Sequence, residues 1–286
     1  MKVLRSRLVL SFALICLMMG TCVHAADWKL AWADEFNYQG LPDPGKWGYE
    51  EGFVRNQESQ YYTRGRLENA RVEGGMLVIE CRKENFTPAK HAPVAYTAAS
   101  LITLNKESWQ YGRIEVRAKL PQGKGVWPAI WTLGIDRAQA KWPASGEIDI
   151  MEFVGKMPDT IHGTVHYAGP DGKHRSNGGK LKTEKPYEEF HIYAIEWFPD
   201  RLDFFFDNKK YHTFLLDKAG QGENNPFRKP HYLLLNFALG GSWGGPIDDA
   251  VLPQKFLIDY VRVYKEEASP KDAPAAPGTK APDGKP

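Results

Sequence analysis

Cysteine is scarce in this chain of 286 residues, with three in all, at positions 16, 22 and 81. Cys16 and Cys22 fall in or beside an N-terminal leader, so Cys81 stands alone after it and no intramolecular disulfide can form. Cys81 lies in Leu77-Val78-Ile79-Glu80-Cys81 and reads as a small buried residue rather than a nucleophile. Long apolar runs are missing too. The run from Leu8 to Met19 is too short to hold a bilayer as a stable anchor. It follows Lys2, Arg5 and Arg7 and precedes Val23-His24-Ala25, so residues 1–25 read as an export signal with a secreted or periplasmic destination. Acylation at Cys22 is the alternative, and Met19-Gly20-Thr21 fit it poorly. An excess of one charge is lacking, since the formal net charge is +2. With no basic stripe, neither nucleic acid nor, once the leader is removed, a membrane is an expected partner. Helix-period patterning is nearly absent, and only Asp136 to Lys141 suits a turn of helix.

What remains is short strands divided by Gly, Pro, Asn and Asp. The pattern predicts strands over Trp28 to Trp32, Met76 to Arg82, Gly112 to Leu120, Val126 to Gly134, Glu147 to Val154 and Ile161 to Tyr167. It predicts others over His191 to Phe198, Arg201 to Phe206, Tyr211 to Leu215, His231 to Ala238 and Phe256 to Tyr264. Many short strands with no internal repeat argue an all-β fold, a sandwich or jelly roll with one core. One domain over residues 26–265 is expected. From 266 to 286 the chain is Pro, Ala, Lys, Gly and Asp, which cannot bury enough apolar surface to offset its ordering entropy, so a disordered tail is expected.

The chemistry concentrates in Gly146-Glu147-Ile148-Asp149-Ile150-Met151-Glu152. Strand side chains alternate faces, so Glu147 and Asp149 share one face and Ile148 and Ile150 the other. Glu152 is out of phase. One extra residue near Ile150-Met151, a β-bulge, would return it to the side of the other two. Three carboxylates on one face repel each other and favour keeping one protonated. That suits glycoside cleavage, where one carboxylate attacks and another, held as the acid, protonates the leaving oxygen. Residues 147 and 152 across a bulge would lie about 5 Å apart, the separation of a retaining enzyme. The bland alternative is a solvated acidic strand face, but that leaves costly like charges among Trp, Ile and Phe unexplained.

Other stretches fit a sugar cleft without requiring one. The chain holds nine Trp, and Trp127 and Trp131 are four apart, on one face of a regular strand. Either could meet the apolar face of a sugar ring or simply fill the core. His162 and His166 lie in a strand-forming stretch with no Glu between them, a poor zinc motif. His166 is placed to reach Asp149 or a sugar hydroxyl, or to be a satisfied rim histidine. Arg55-Asn56-Gln57-Glu58-Ser59-Gln60-Tyr61-Tyr62 reads as a polar loop with Asn56 foremost. Leu239 to Gly245 lacks the Lys-Ser/Thr ending of a phosphate loop and reads as a flexible loop presenting Trp243. Glu35 and Asp259 lie in the first and last strands, where a lone carboxylate with carbonyl oxygens would suit calcium.

With these residues in hand the chain resembles glycoside hydrolase family 16, in its laminarinase-like branch, from about Trp32 to Tyr264. The most specific piece is Trp142-Pro143-Ala144-Ser145-Gly146 followed by the Glu-x-Asp-x-x-Glu of residues 147–152. Tyr111 to Arg117, Trp127 to Trp131, Asn236 to Gly241 and Asp259 to Tyr264 support it. The resemblance implies a β-jelly-roll of two curved antiparallel sheets with a concave cleft. It implies Glu147 as nucleophile, Glu152 as general acid/base and Asp149 as their helper. Asn56, Trp127, Trp131, His166, Asn236 and Trp243 would line the sugar subsites. No cofactor is needed for catalysis. A structural calcium is common in such proteins and would use the Asp259 side chain with backbone oxygens near Glu35 and Gly74. The implied activity is endo-hydrolysis of β-1,3-glucans by a monomer, with mixed β-1,3/1,4-glucans as an extension. A galactanase of the same fold, a transglycosylase and a non-catalytic glucan-binding protein are the rivals. Sulfated substrates would ask for Arg or Lys in the cleft, and the stretches assigned to it are mostly aromatic and neutral.

Overall fold

A computed structural model describes residues 27–267. The expected export signal and nearly all of the expected tail lie outside the described residues. The strands in chain order are β1 (Trp28–Asp34), β2 (Gly48–Tyr49), β3 (Tyr61–Tyr62), β4 (Ala70–Glu73), β5 (Met76–Phe86), β6 (Val94–Ala98), β7 (Ser100–Ile102), β8 (Gly112–Lys119) and β9 (Val126–Gly134). They continue as β10 (Glu147–Glu152), β11 (Thr160–Ala168), β12 (His174–Lys182), β13 (His191–Trp197), β14 (Arg201–Phe206), β15 (Lys209–Leu215), β16 (His231–Leu239) and β17 (Gln254–Glu266). Two single turns of α-helix punctuate them, α1 (Arg137–Ala140) and α2 (Gly241–Gly244). Among the described residues no helix is long and apolar enough to cross a membrane.

The strands form two sheets packed as a jelly-roll sandwich. One has the order β12-β11-β10-β9-β16-β7-β2, and the other runs β15-β14-β13-β8-β17-β5-β6-β3 with β1 on β17 and β4 on β5. Pairing is antiparallel except between β3 and β6, which run parallel. The expected strands are present, and α1 falls where one helical turn was expected. The strands that patterning missed are short, as β2, β3, β4, β6 and β7 are, or polar, as β12 is, with its sequence HRSNGGKLK.

Strand alternation sorts residues between the interior and the outer faces. On β16, Leu233, Leu235, Phe237 and Leu239 enter the common core, while Tyr232, Leu234, Asn236 and Ala238 face the other way. On β9, Val126 and Ile130 enter the core while Trp127, Ala129, Trp131 and Leu133 face outward. Yet all of β9 is buried, because neighbouring loops build walls over that outer face. Each such apolar side chain taken fully out of water contributes about 1.5–3 kcal/mol before entropy is counted. The result is a rigid floor walled by loops, with β9, β10 and β16 at its centre.

Candidate active site

β10 carries the expected bulge. Asp149 pairs with Trp131 of β9 and Met151 with the next residue back, Ile130, so the register slips by one between them. The pairing with β11 slips over the same stretch. The core sees the consequence: Ile148 and Ile150 point inward, and so do Met151 and Phe153. Two adjacent inward residues reverse the phase, and Glu152 therefore emerges beside Glu147 and Asp149. Gly146 makes the entry. Its φ of +74° suits glycine, and a Cβ there would meet the Pro226 ring at 2.7 Å.

The three acids line a cavity of about 310 Å³ with Trp127, Ala129, Trp131 and Leu133 of β9 and Asn236 of β16. Arg55, Asn56, Glu58, Arg137 and Trp142 complete its wall. Each outer acid accepts a bond from an indole: Trp142 Nε1 donates to Glu147 Oε2 at 3.0 Å, and Trp127 Nε1 to Glu152 Oε1 at 3.1 Å. His166 Nε2 lies 3.1 Å from Asp149 Oδ2 and 4.0 Å from Glu147 Oε1. Burial pushes the Glu147 carboxyl up, and the charge of Asp149 adds to the shift. Burial raises Asp149 as well. Glu152 is raised well above the ordinary carboxylate range by burial first and by Asp149 next. Three buried acids with little cationic compensation cannot all ionise together, so the site retains a proton near neutral pH. Glu152, raised by burial and by both neighbouring acids, is the natural holder.

The six residues expected to line subsites are placed unequally. Asn56, Trp127, Trp131 and Asn236 line the cavity. His166 is half-buried against the acids and bridges to Asp149 instead of forming the wall. Trp243 packs edge-on against Trp127 at 5.4 Å and against His162 at 4.9 Å, backing the wall rather than lining the cavity. Its loop was expected to be flexible, but it is a helical turn tied to the opposite wall. Ser242 N donates to Asn56 O at 2.8 Å, and a Cβ on Gly241 would meet that same oxygen at 2.8 Å.

Patterning missed Glu58, Arg55, Arg137 and Trp142 as wall residues. Glu58 is buried at the head of a polar chain. Tyr62 OH and Gln60 Nε2 donate to its Oε2, at 3.1 and 2.7 Å, and Asn56 Nδ2 donates to its Oε1 at 3.3 Å. Asn236 Nδ2 donates to Tyr62 OH at 2.9 Å, and Trp131 Nε1 to Asn236 Oδ1 at 2.7 Å. Two expected sugar contacts and one Trp platform are thus oriented from one carboxylate. Arg55 lies over the Trp131 ring at 4.8 Å and is paired with Glu50. The expectation of a mostly neutral wall is corrected here, since two guanidinium groups, Arg55 and Arg137, stand in it. Local periodicity gives no sign of this, because Arg55 comes from a loop that only the tertiary fold brings over β9 and Arg137 from the single turn α1 that follows it.

At the far corner, Asp259 lies in β17 between Ile258, which pairs with Leu77 of β5, and Val261, which pairs with Asp34 of β1. Gly74, in the turn between β4 and β5, and the main chain after Asp34 therefore border the same gap. Arg117 Nη1 donates to Asp259 Oδ2 at 2.6 Å, and Arg262 grips both oxygens of Glu35 at 2.7 and 2.8 Å. A cation there would share Asp259 with Arg117 and use main-chain oxygens, and the Glu35 side chain would not be among its ligands.

The sequence and the fold both have close counterparts. The description "Glycosyl hydrolases family 16" matches residues 57–262. A beta-glucanase of Rhodothermus marinus is 46% identical over 277 residues, covering 91% of this chain and 94% of that one. A keratan-sulfate endo-1,4-beta-galactosidase of Sphingobacterium multivorum is 36% identical over 254 residues, 87% of this chain and 58% of that longer protein. The solved laminarinase of Rhodothermus marinus superposes with a TM-score of 0.77 at 44% identity, covering 86% of this chain and 100% of the other. SCLam, a non-specific endo-beta-1,3(4)-glucanase, superposes with a TM-score of 0.78 at 45% identity, covering 85% of this chain and 94% of that one. With its bulged acidic strand, its indole-held carboxylates and these likenesses across nearly all of the described residues, the chain belongs to glycosyl hydrolase family 16.

Proposed function

We propose that the chain is a secreted or periplasmic endo-acting hydrolase of β-glucans. Its principal substrates are β-1,3-glucans of the laminarin kind, with mixed β-1,3/1,4-glucans as an extension, and it works as a monomer with retention of configuration. The observation that carries the reading is the bulge in β10, which puts Glu147, Asp149 and Glu152 together on the floor of a cavity walled by Trp127, Trp131 and Trp142. The similarity to a beta-glucanase and to solved endo-glucanases supports the substrate class.

Glu147 attacks the anomeric carbon as a carboxylate. The glycosidic C–O bond breaks and Glu152 gives its proton to the departing oxygen, leaving a glycosyl ester on Glu147. Water then attacks that carbon while Glu152 takes a proton from it, which releases the sugar and restores both groups. The low polarity that raises Glu152 serves the first step, and the Trp142 indole stabilises the Glu147 carboxylate that leaves at the end. Asp149 sits between the two with His166 Nε2 3.1 Å from its Oδ2, and so influences which acid holds the shared proton. A calcium held by the Asp259 side chain and main-chain oxygens near Glu35 and Gly74 would tie β1, β5 and β17 together. A higher melting temperature with added calcium than with chelator would support it.

A second reading, hydrolysis of a galactose-containing or sulfated glycan, follows from Arg55 and Arg137 in the wall and from the similarity to a keratan-sulfate endo-1,4-beta-galactosidase. Product profiles over time on laminarin, mixed-linkage glucan, agarose and keratan sulfate decide between the two. Laminarin oligosaccharides of several lengths appearing early are expected. Activity confined to agarose or keratan sulfate would overturn the glucan assignment, and products longer than the substrate would indicate transglycosylation.

A further inference from the structure

Behind the acids runs a short chain of rings that ends at the surface. His174, exposed on the outer strand β12, places its Nε2 2.8 Å from His166 Nδ1. The two ring planes differ by 13° with centroids 5.1 Å apart, an edge-to-edge arrangement in which one proton sits between two nitrogens. The other nitrogen of His166 lies 3.1 Å from Asp149 Oδ2, a buried oxygen that has no aligned hydrogen-bond partner and that a small rotation of the ring would satisfy. His174 also packs its ring against Trp142 at 4.7 Å, and Trp142 is the donor to Glu147. His174 therefore touches both the indole that donates to Glu147 and the imidazole that lies beside Asp149.

A neutral imidazole carries one N–H, and the bond made at one nitrogen decides which nitrogen has it. If His166 is to donate from Nε2 to Asp149, its Nδ1 must accept. The group at Nδ1 is His174, whose Nε2–H can supply that proton. We propose that His174 is a positioning residue for the reaction: by donating to His166 Nδ1 it fixes the Nε2–H form of His166, which holds Asp149 as a carboxylate beside Glu147. Without that donor His166 is free to carry its proton on Nδ1 and to turn a lone pair toward Asp149. Asp149 would then compete for the proton that Glu152 needs. The charged groups around this pair are Glu147 and Asp149 from β10 and Arg175 from β12, and Arg175 is engaged by Asp171 at 2.9 Å.

The inference rests on the reading of the three acids as catalytic, but its primary readout does not. Nitrogen-15 chemical shifts of His166 in the full chain at neutral pH report which nitrogen carries the proton. The Nε2–H form is expected in the wild type and its loss in His174→Phe, which keeps a ring against Trp142 but cannot donate. On laminarin, His174→Phe should lower kcat about 10-fold, with KM within about twofold of wild type. His174→Gln, whose amide N–H can take the place of Nε2–H, should recover most of that loss. A wild-type His166 found in the Nδ1–H form would overturn the proposal. So would His174→Phe with unchanged kcat, or His174→Gln no better than Phe. A wild type inactive on every glucan but showing the Nε2–H form would instead count against the glucanase reading.

Discussion

Two strands of the molecule use the same device with opposite consequences. β10 and β17 each contain a bulge. In β17 the core residues are Phe256 and Ile258 before it and Val261 and Val263 after it, the same phase reversal as Ile148 and Ile150 against Met151 and Phe153. At the β17 bulge the acid is met by a cation, Arg117 on Asp259. Around it Glu35 is gripped by Arg262, and Glu115 by Arg113. At the β10 bulge three acids are met by two indoles and one histidine. Arg262 lowers the Glu35 carboxyl, whereas burial raises all three acids of β10. A bulge therefore re-aims side chains without deciding what they do. The partners that meet the re-aimed acid decide whether it is structure or chemistry, and costly unpaired acids mark the chemistry.

Substitutions on the two faces should diverge most in turnover. Glu147→Gln is expected to lower kcat on laminarin by on the order of 10⁴-fold or more while oligosaccharide binding persists. Wild-type-like hydrolysis would remove Glu147 from the nucleophile role. Glu152→Ala should cost about 10²–10⁴-fold, least on substrates with good leaving groups. Azide should restore part of that rate by attacking the glycosyl ester without needing a base, and the absence of an azide adduct would count against the ester. Glu35→Gln on the other face should leave kcat and KM unchanged.

The contrast was legible in one half and not in the other. Phase-breaking in Glu147 to Glu152 is visible because an acid lands where an apolar residue belongs. The same reasoning applied to Phe256-Leu257-Ile258-Asp259-Tyr260-Val261 would have found the β17 bulge, where two core pairs are out of step. The cleft wall was less accessible. Asn56, Trp127 and Trp131 could be named because of their sugar-binding chemistry, and Asn236 only through the family resemblance. Chemistry alone does not say what a side chain already holds: Trp243 leans on Trp127, and the Glu35 side chain on Arg262. Arg55 and Glu58 come from a loop whose fold depends on contacts distant in sequence, such as Leu239 N to Gln60 at 2.7 Å. β12 was missed because its exposed, polar, glycine-containing sequence has no alternation to detect.

Stability should divide the two faces as well, with opposite signs in pH. A carboxyl raised by folding keeps its proton after the unfolded chain has lost it. For Glu147 the cost of burial therefore begins near its ordinary value of 4.5, grows as pH rises, and levels off above about 8. Removing charge at such a position is stabilising at pH 8 and neutral near pH 4. Glu152→Gln is expected to raise Tm at pH 8 by roughly 3–6 °C, the equivalent of about 1–2 kcal/mol in a domain of this size. An equal gain at pH 4 would show that the effect is not electrostatic. Glu35 runs the other way. Its carboxyl is lowered by Arg262, so its contribution is present above pH 4.5 and is lost as pH falls through the lower folded value. The pair is partly open to solvent, with side chains 33% and 38% exposed, and Glu35→Gln should cost no more than about 1 kcal/mol at pH 7, less in high salt. If instead Glu35→Gln costs several times that and calcium restores the loss, the carboxylate does more at that corner than hold Arg262, and the division between a chemical face and a structural one would have to include a metal.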